Sequence, residues 1–142
     1  MSAEPRTIAA LARALHAREL TALSVTERCL HAIAEANHSL NAFITVLGDS
    51  ALEQARQADA EIAAGRPRGP LHGVPISLKD LIDLEGTPTT AASRVRAGHK
   101  ARANATIVTR LREAGVVFIG KTNLHEFALG TTNEDSAFGP AR

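Results

Sequence analysis

Lys79 closes a short apolar run, Val74-Pro75-Ile76-Ser77-Leu78, and Asp80 follows it directly. The run comes after a turn punctuated by Gly69, Pro70 and Gly73 and reads as a strand. A lysine at a strand end commonly lies on the surface beside a carboxylate, and Asp80 offers one. The same position suits a lysine held partly out of water, where burial disfavours the ammonium form and the neutral amine can accept a proton. Such a base needs a nucleophile, usually a serine. Ser77, Ser93 and Ser136 are the nearby serines, and position alone does not choose among them.

Two other patterns mimic known chemistry. Gly115 to Thr122 satisfies the phosphate-binding spacing G-x-x-x-x-G-K-[ST]. A phosphate loop must follow a strand and open a helix, so that free backbone N–H groups can wrap the anion. Here the four intervening residues, Val116-Val117-Phe118-Ile119, are themselves strand formers, and a helical pattern precedes them. Nucleotide binding is therefore not expected, and Gly120-Lys121-Thr122 reads as the chain leaving a sheet. His125-Glu126 begins like H-E-x-x-H, but Leu129 takes the place of the second histidine and the zinc reading fails. His72, in the Gly/Pro turn, reads as a hydrogen-bonding loop residue. No metal and no cofactor is indicated.

The elements that must position Lys79 alternate in type. Thr7 caps a first helix with Ile8, Leu11, Ala12 and Leu15 on one face. Ser24-Val25-Thr26-Glu27 reads as a capping box opening a second helix to about Asn37. Phe43 to Leu47 is a strand. Ser50-Ala51-Leu52-Glu53 is a second capping box, opening an Ala-rich helix that Gly65 stops. Thr87 to Ser93 is a polar loop or edge strand. Asn104 is placed to cap a helix through Ile107, Val108 and Leu111, ended by Gly115, and Val116 to Ile119 is a buried strand. A short helical turn fits Leu124 to Leu129, and Phe138 to Arg142 reads as a turn with no terminating logic. The class is α/β, a mixed sheet flanked by helices.

Composition narrows the function classes. Of 142 residues, 16 are Lys or Arg and 15 are Asp or Glu, too even a balance for binding nucleic acid or membrane by bulk charge. Four Phe with no Trp or Tyr supply little for stacking on single-stranded bases. The single cysteine, Cys29, excludes an internal disulfide and suits a reducing compartment. With no signal-like or membrane-length apolar stretch, the expected location is cytoplasmic.

Ordered blocks along the chain carry a resemblance. They are Gly69-Pro70-Leu71-His72-Gly73-Val74-Pro75-Ile76-Ser77-Leu78-Lys79-Asp80, then Gly86-Thr87-Pro88-Thr89-Thr90-Ala91-Ala92-Ser93. Gly120-Lys121-Thr122-Asn123-Leu124-His125-Glu126-Phe127-Ala128 and Ser136-Ala137-Phe138-Gly139-Pro140 follow. In these blocks the sequence resembles the amidase signature family. The resemblance implies a Ser–cis-Ser–Lys triad in which the lysine, here Lys79, takes a proton relayed from the nucleophilic serine as it attacks an amide carbonyl. Backbone N–H groups would hold the oxyanion.

The same resemblance places both triad serines in a Gly/Ser-rich block downstream of Pro140, which the sequence does not reach. None of Ser77, Ser93 and Ser136 matches the nucleophile position. Residues 1–142 are accordingly expected to be the N-terminal portion of one amidase-signature domain, a helical region 1–65 followed by the start of an α/β core 66–142, truncated before that block. The chain would then supply only the lysine and be inactive alone.

Ala128, Leu129, Gly130 and Thr131 fall where relatives line the acyl side of the substrate pocket, unless they form a tight turn packed on the sheet. Thr89, Thr90 and Ser93 edge the same cleft in this reading. The implied partner is a small-molecule amide substrate. A homo-oligomer or assembly with amidotransferase partner subunits stays open, and no direct nucleic acid or membrane contact is indicated. Relatives in the A subunit of the tRNA-dependent amidotransferase usually continue Lys-Thr-Asn with Met-Asp-Glu-Phe. Leu124-His125-Glu126-Phe127 leans instead toward amidases of small or aryl amides. A non-catalytic remnant that packs against a partner is the third reading.

Overall fold

The computed structural model describes residue 5 and residues 7–142. The first helix, α1 (Ile8–His16), is capped by Thr7, whose Oγ1 accepts from the Ala10 N–H at 3.1 Å. The second, α2 (Ala22–Leu40), starts earlier than the Ser24 capping box predicts. Thr21 is its cap and takes the Ser24 N–H at 3.0 Å, while the Ser24 hydroxyl donates back to the Thr21 carbonyl. The extra turn exists because Asp59, from the next helix, accepts the otherwise orphaned N–H groups of Ala22 and Leu23 at 2.6 and 3.0 Å. Asn41, in a left-handed conformation, ends α2.

Strand β1 (Phe43–Val46) leads into α3 (Gly48–Ala63). This helix also begins ahead of its expected capping box: Ser50 lies inside the first turn, where its Oγ accepts from Gln54 Nε2. The buried face of α3 is Ala51, Ala55, Ala58 and Ile62, three small residues and one large one at helical spacing. They bring α3 close to α2 and the sheet, and with Leu15, Val25, Val74, Val117 and Ile119 they form the larger apolar cluster.

Strand β2 (Pro75–Lys79) ends on the lysine. A long loop and a single 3-10 turn at Arg94–Arg96 then lead to α4 (Thr106–Glu113). Asn104 does not cap α4, because its Oδ1 is committed to the Glu85 N–H at 2.9 Å across the loop. Strand β3 (Val117–Thr122) lies in the middle of the sheet, antiparallel to β1 and parallel to β2. The sheet is mixed and carries helices, as the alternating pattern predicts. A second apolar cluster, Leu78, Leu84, Val108, Val116 and Phe118, ties α4 to it. A 3-10 turn at Glu126–Ala128, kinked at Phe127, replaces the short helix expected there.

The phosphate-loop look-alike is thus a central strand with neighbours on both edges. Gly120 has a packing reason instead: a Cβ there would come within 2.6 Å of the Thr45 carbonyl and 2.8 Å of the Phe43 ring. The glycine lets β1 approach β3.

Candidate active site

Lys79 projects from the last position of β2 and is exposed, while Leu78 and Asp80 on either side of it are buried. This is the two-residue alternation of a strand carried to its end. The desolvation foreseen for Lys79 is not found among the described residues. Nor does Lys79 pair with Asp80, the surface alternative. Asp80 is taken by a different lysine.

That lysine is Lys121 on β3. Its Nζ lies 3.1 Å from Asp80 Oδ1, and both side chains are completely buried. The ammonium also donates to the Pro88 carbonyl at 3.0 Å and to Thr89 Oγ1 at 3.2 Å. It sits off the Oδ1 lone-pair direction, so the contact with Asp80 is an ion pair without an aligned hydrogen bond. Asp80 Oδ2 accepts from the Thr90 N–H at 3.0 Å and, at very short range, from the Thr90 hydroxyl. Thr89, Thr90 and Ser93, read from the sequence as the edge of a cleft, are buried, and the two threonines are turned inward onto this pair.

A bulge makes the pair. Along the parallel ladder Ile76 faces Phe118, Ser77 faces Gly120, Leu78 faces Lys121 and Lys79 faces Thr122. Between the first two of these pairings β3 advances by two residues while β2 advances by one. Strict alternation would put Lys121 on the face of Val117 and Ile119. The extra residue turns it to the face of Leu78 and Asp80.

Backbone strain gathers in the same place. Ala91 and Ala92 hold φ of 52° and 55°, and Phe127 and Ala128 hold 51° and 59°, left-handed values that cost non-glycine residues energy. The two strained pairs are linked, since the Phe127 N–H donates to the Ala91 carbonyl at 2.9 Å. The Ala137 N–H donates to the Ala92 carbonyl at the same distance. The Ala91 N–H in turn donates to the Asp80 carbonyl at 2.8 Å.

Of the expected acyl-side segment, Leu129 and Thr131 are exposed, while Ala128 and Gly130 are half-buried. Gly130 lies against the His125 ring, which leaves no room for a Cβ. An open cavity of about 420 Å³ is lined by Ser93, Val95, His125, Leu129 and Ser136, among others. The serines divide between two places. Ser77 is exposed, two residues before Lys79 on the same strand face. Ser136 lines the cavity with its hydroxyl donating to Asn123 Oδ1 at 2.8 Å and accepting from the Phe138 N–H at 3.1 Å. Ser93 Oγ accepts from the Val95 N–H.

A second cavity, about 380 Å³, is lined by Glu61, Arg68 and His72 with Gln54, Gln57 and Arg112. Arg68 grips Glu61 with two hydrogen bonds, of 2.6 and 2.5 Å, which hold the carboxyl at about 2. His72 is the loop hydrogen-bonder foreseen from its turn: Nδ1 accepts the Arg68 N–H at 3.1 Å and Nε2 lies 3.3 Å from Glu61. Burial pushes this imidazole below its ordinary range, and Glu61 pulls the other way.

The pattern of the Amidase family matches residues 24–142. The chain belongs to the amidase family. It is 48% identical over 138 residues to the glutamyl-tRNA(Gln) amidotransferase A-chain protein of Nocardia farcinica, covering 96% of this chain and 28% of that protein. Its counterpart in Thermobifida fusca is 47% identical over 134 residues, covering 94% of this chain and 27% of that protein. Among solved structures, native peptide amidase from Stenotrophomonas maltophilia superposes with a TM-score of 0.89 at 37% identity. That match covers 98% of this chain and 30% of the peptide amidase. The chain therefore spans under a third of the length of these relatives. No helix among the described residues is long and apolar enough to cross a membrane.

Lys121 escaped the sequence reading. Its signal was a charged residue ending a run of buried β-formers. Recognising its partner requires the parallel register and the bulge.

Proposed function

We propose that the protein carrying this chain hydrolyses the carbon–nitrogen bond of a small amide, with Lys79 as the base. The observation that carries this reading is the placement of Lys79 in a chain of the amidase family. It stands on the exposed face of a strand end whose opposite face is fixed by a fully buried ion pair. In this reading Lys79 Nζ is neutral at the moment of attack and takes the proton that passes, through a second serine, from the nucleophilic serine. That serine bonds to the amide carbon, the amine leaves with a proton returned to it, and water releases the acid in a second round. The chain supplies the lysine and neither serine. The exposed Leu129 and half-buried Ala128 offer apolar surface for the acyl group.

The test is turnover of acetyl p-nitroanilide and of glutamine by the purified protein and its Lys79→Met variant. Loss of about three orders of magnitude with unchanged folding is the expected result for removal of one member of a triad. A variant that keeps its turnover would remove Lys79 from the reaction.

A second reading has its own observation. The 48% identity to an amidotransferase protein favours a glutamine amidohydrolase that hands ammonia to a partner protein, against the lean given by Leu124-His125. The two separate by substrate: glutamine hydrolysis that rises when amidotransferase partner proteins are added supports the second. Anilide hydrolysis without partners supports the first.

A further inference from the structure

We propose that Asp80, Lys121 and Thr90 are positioning residues for Lys79. They form a buried strut that fixes the end of β2 against the strained backbone at Ala91–Ala92 and Phe127–Ala128. The inference rests on the amide-hydrolysis reading above and deepens it.

The strut touches Lys79 only through the main chain. By alternation Asp80 and Lys121 lie on the face opposite Lys79, and both are shut off from solvent. Asp80 nevertheless meets three neighbouring segments. Its N–H donates to the Thr122 carbonyl at 3.0 Å, its carbonyl receives the Ala91 N–H, and its carboxylate holds Thr90 and Lys121. Lys121 extends the hold to Pro88 and Thr89. The Thr90 hydroxyl donates to Asp80 and accepts the Ala92 N–H at 3.1 Å, so one side chain spans the carboxylate and the strained turn. The path continues from Ala91 to Phe127, where the acyl-side segment begins.

Stability alone is a poor reason for this arrangement. A buried ion pair replaced by apolar groups of like shape is often as stable or more so, because desolvation offsets the attraction. Left-handed alanines persist only where the surroundings over-determine them. Here two strained turns and a charge pair converge on the peptide that follows Lys79, and the geometry they set is the lysine's reach toward the acyl side.

The test compares the parent protein with Asp80→Asn/Lys121→Met, which removes both charges together, and with Thr90→Val and Thr90→Ser. The double variant should unfold at a denaturant concentration near the parent's. Its kcat on acetyl p-nitroanilide or glutamine should fall about 10- to 100-fold with KM little changed, the scale of a misplaced reacting group. Thr90→Val should lose turnover in the same way, and Thr90→Ser, which keeps the hydroxyl, should recover it. Hydrogen exchange gives a readout independent of turnover: the amides of Ala91, Phe127 and Ala137 should exchange faster in the double variant while those of α2 do not.

Parent kcat in a folded double variant, or unchanged exchange at those three amides, overturns the strut while leaving the hydrolase reading intact. If the double variant fails to fold, the Thr90 pair decides. A parent with no turnover on either substrate, or a Lys79→Met variant that keeps it, sinks the hydrolase reading and the positioning role with it. Faster exchange in that case would identify a brace of the fold and nothing more.

Discussion

Lys121 Nζ stands 3.1 Å from Asp80 Oδ1 with no solvent access to either side chain, one strand away from an exposed Lys79. Two lysines thus occupy opposite electrostatic settings at one end of the sheet. Removing only Lys121 leaves the Asp80 carboxylate buried without its counter-charge. Lys121→Met should therefore cost about 3–5 kcal/mol, whereas Asp80→Asn/Lys121→Met should cost far less. Urea unfolding of the three proteins measures the difference, and equal losses in single and double variants would disprove the coupling.

Acid should weaken the fold through the cluster at the second cavity. Burial lowers the proton affinity of His72, and the Arg68 hydrogen bonds hold Glu61 at about 2 against an ordinary 4.5. In both cases the native state binds fewer protons than the unfolded chain, so stability falls as pH falls. The His72 contribution is complete above its ordinary value of 6.5 and declines below it. The Glu61 contribution is complete above 4.5 and declines toward 2. His72→Asn should flatten the change in urea midpoint between about pH 7.5 and pH 5.5, the range spanning the ordinary imidazole value. A variant with the parent's slope there would exonerate His72.

Gly120→Ala should destabilise by about 1–3 kcal/mol, as overpacking does in a close-packed interior. The new methyl would have to displace the Thr45 carbonyl or the Phe43 ring, so the damage should concentrate in β1. Faster amide exchange across residues 43–46 is the expected signature. A neutral substitution would show that β1 is free to move aside.

Asp59 holds the start of a helix to which it does not belong. Asp59→Ala should cost about 1–3 kcal/mol, because the buried end of α2 loses its acceptor for two N–H groups. Asp59→Asn keeps one acceptor oxygen and should cost less. Chemical denaturation ranks the two, and the reverse order would reject the capping account.

The family blocks, the class and the order of elements were legible in the sequence. Hydrophobic period identifies helices and strands locally: Thr7, Gly65 and Gly115 mark their ends through backbone chemistry that depends on a few neighbours. The false phosphate loop was rejected on the same ground, because β-branched residues in its middle commit their N–H groups to a sheet. The position of Lys79 at the end of its strand was legible too.

Three local signals misled, and each yielded to a partner distant in the chain. Ser24 lost the start of α2 to Thr21 and Asp59, Ser50 fell inside α3, and Asn104 bonded Glu85 instead of capping α4. A side chain with one free oxygen goes to the strongest unsatisfied donor that folding brings near, and sequence spacing does not rank those donors. The charge pairing of Asp80 was decided in the same way. Its sequence neighbour Lys79 points to the other face by strand geometry. Its true partner lies 41 positions further on, as the numbering of Lys121 shows, and faces it only because one extra residue in β3 shifts the alternation. The sequence determined that a lysine would end β2. The tertiary structure decided which lysine would be buried, because burial follows the face a residue is turned to, and a bulge between strands sets that face.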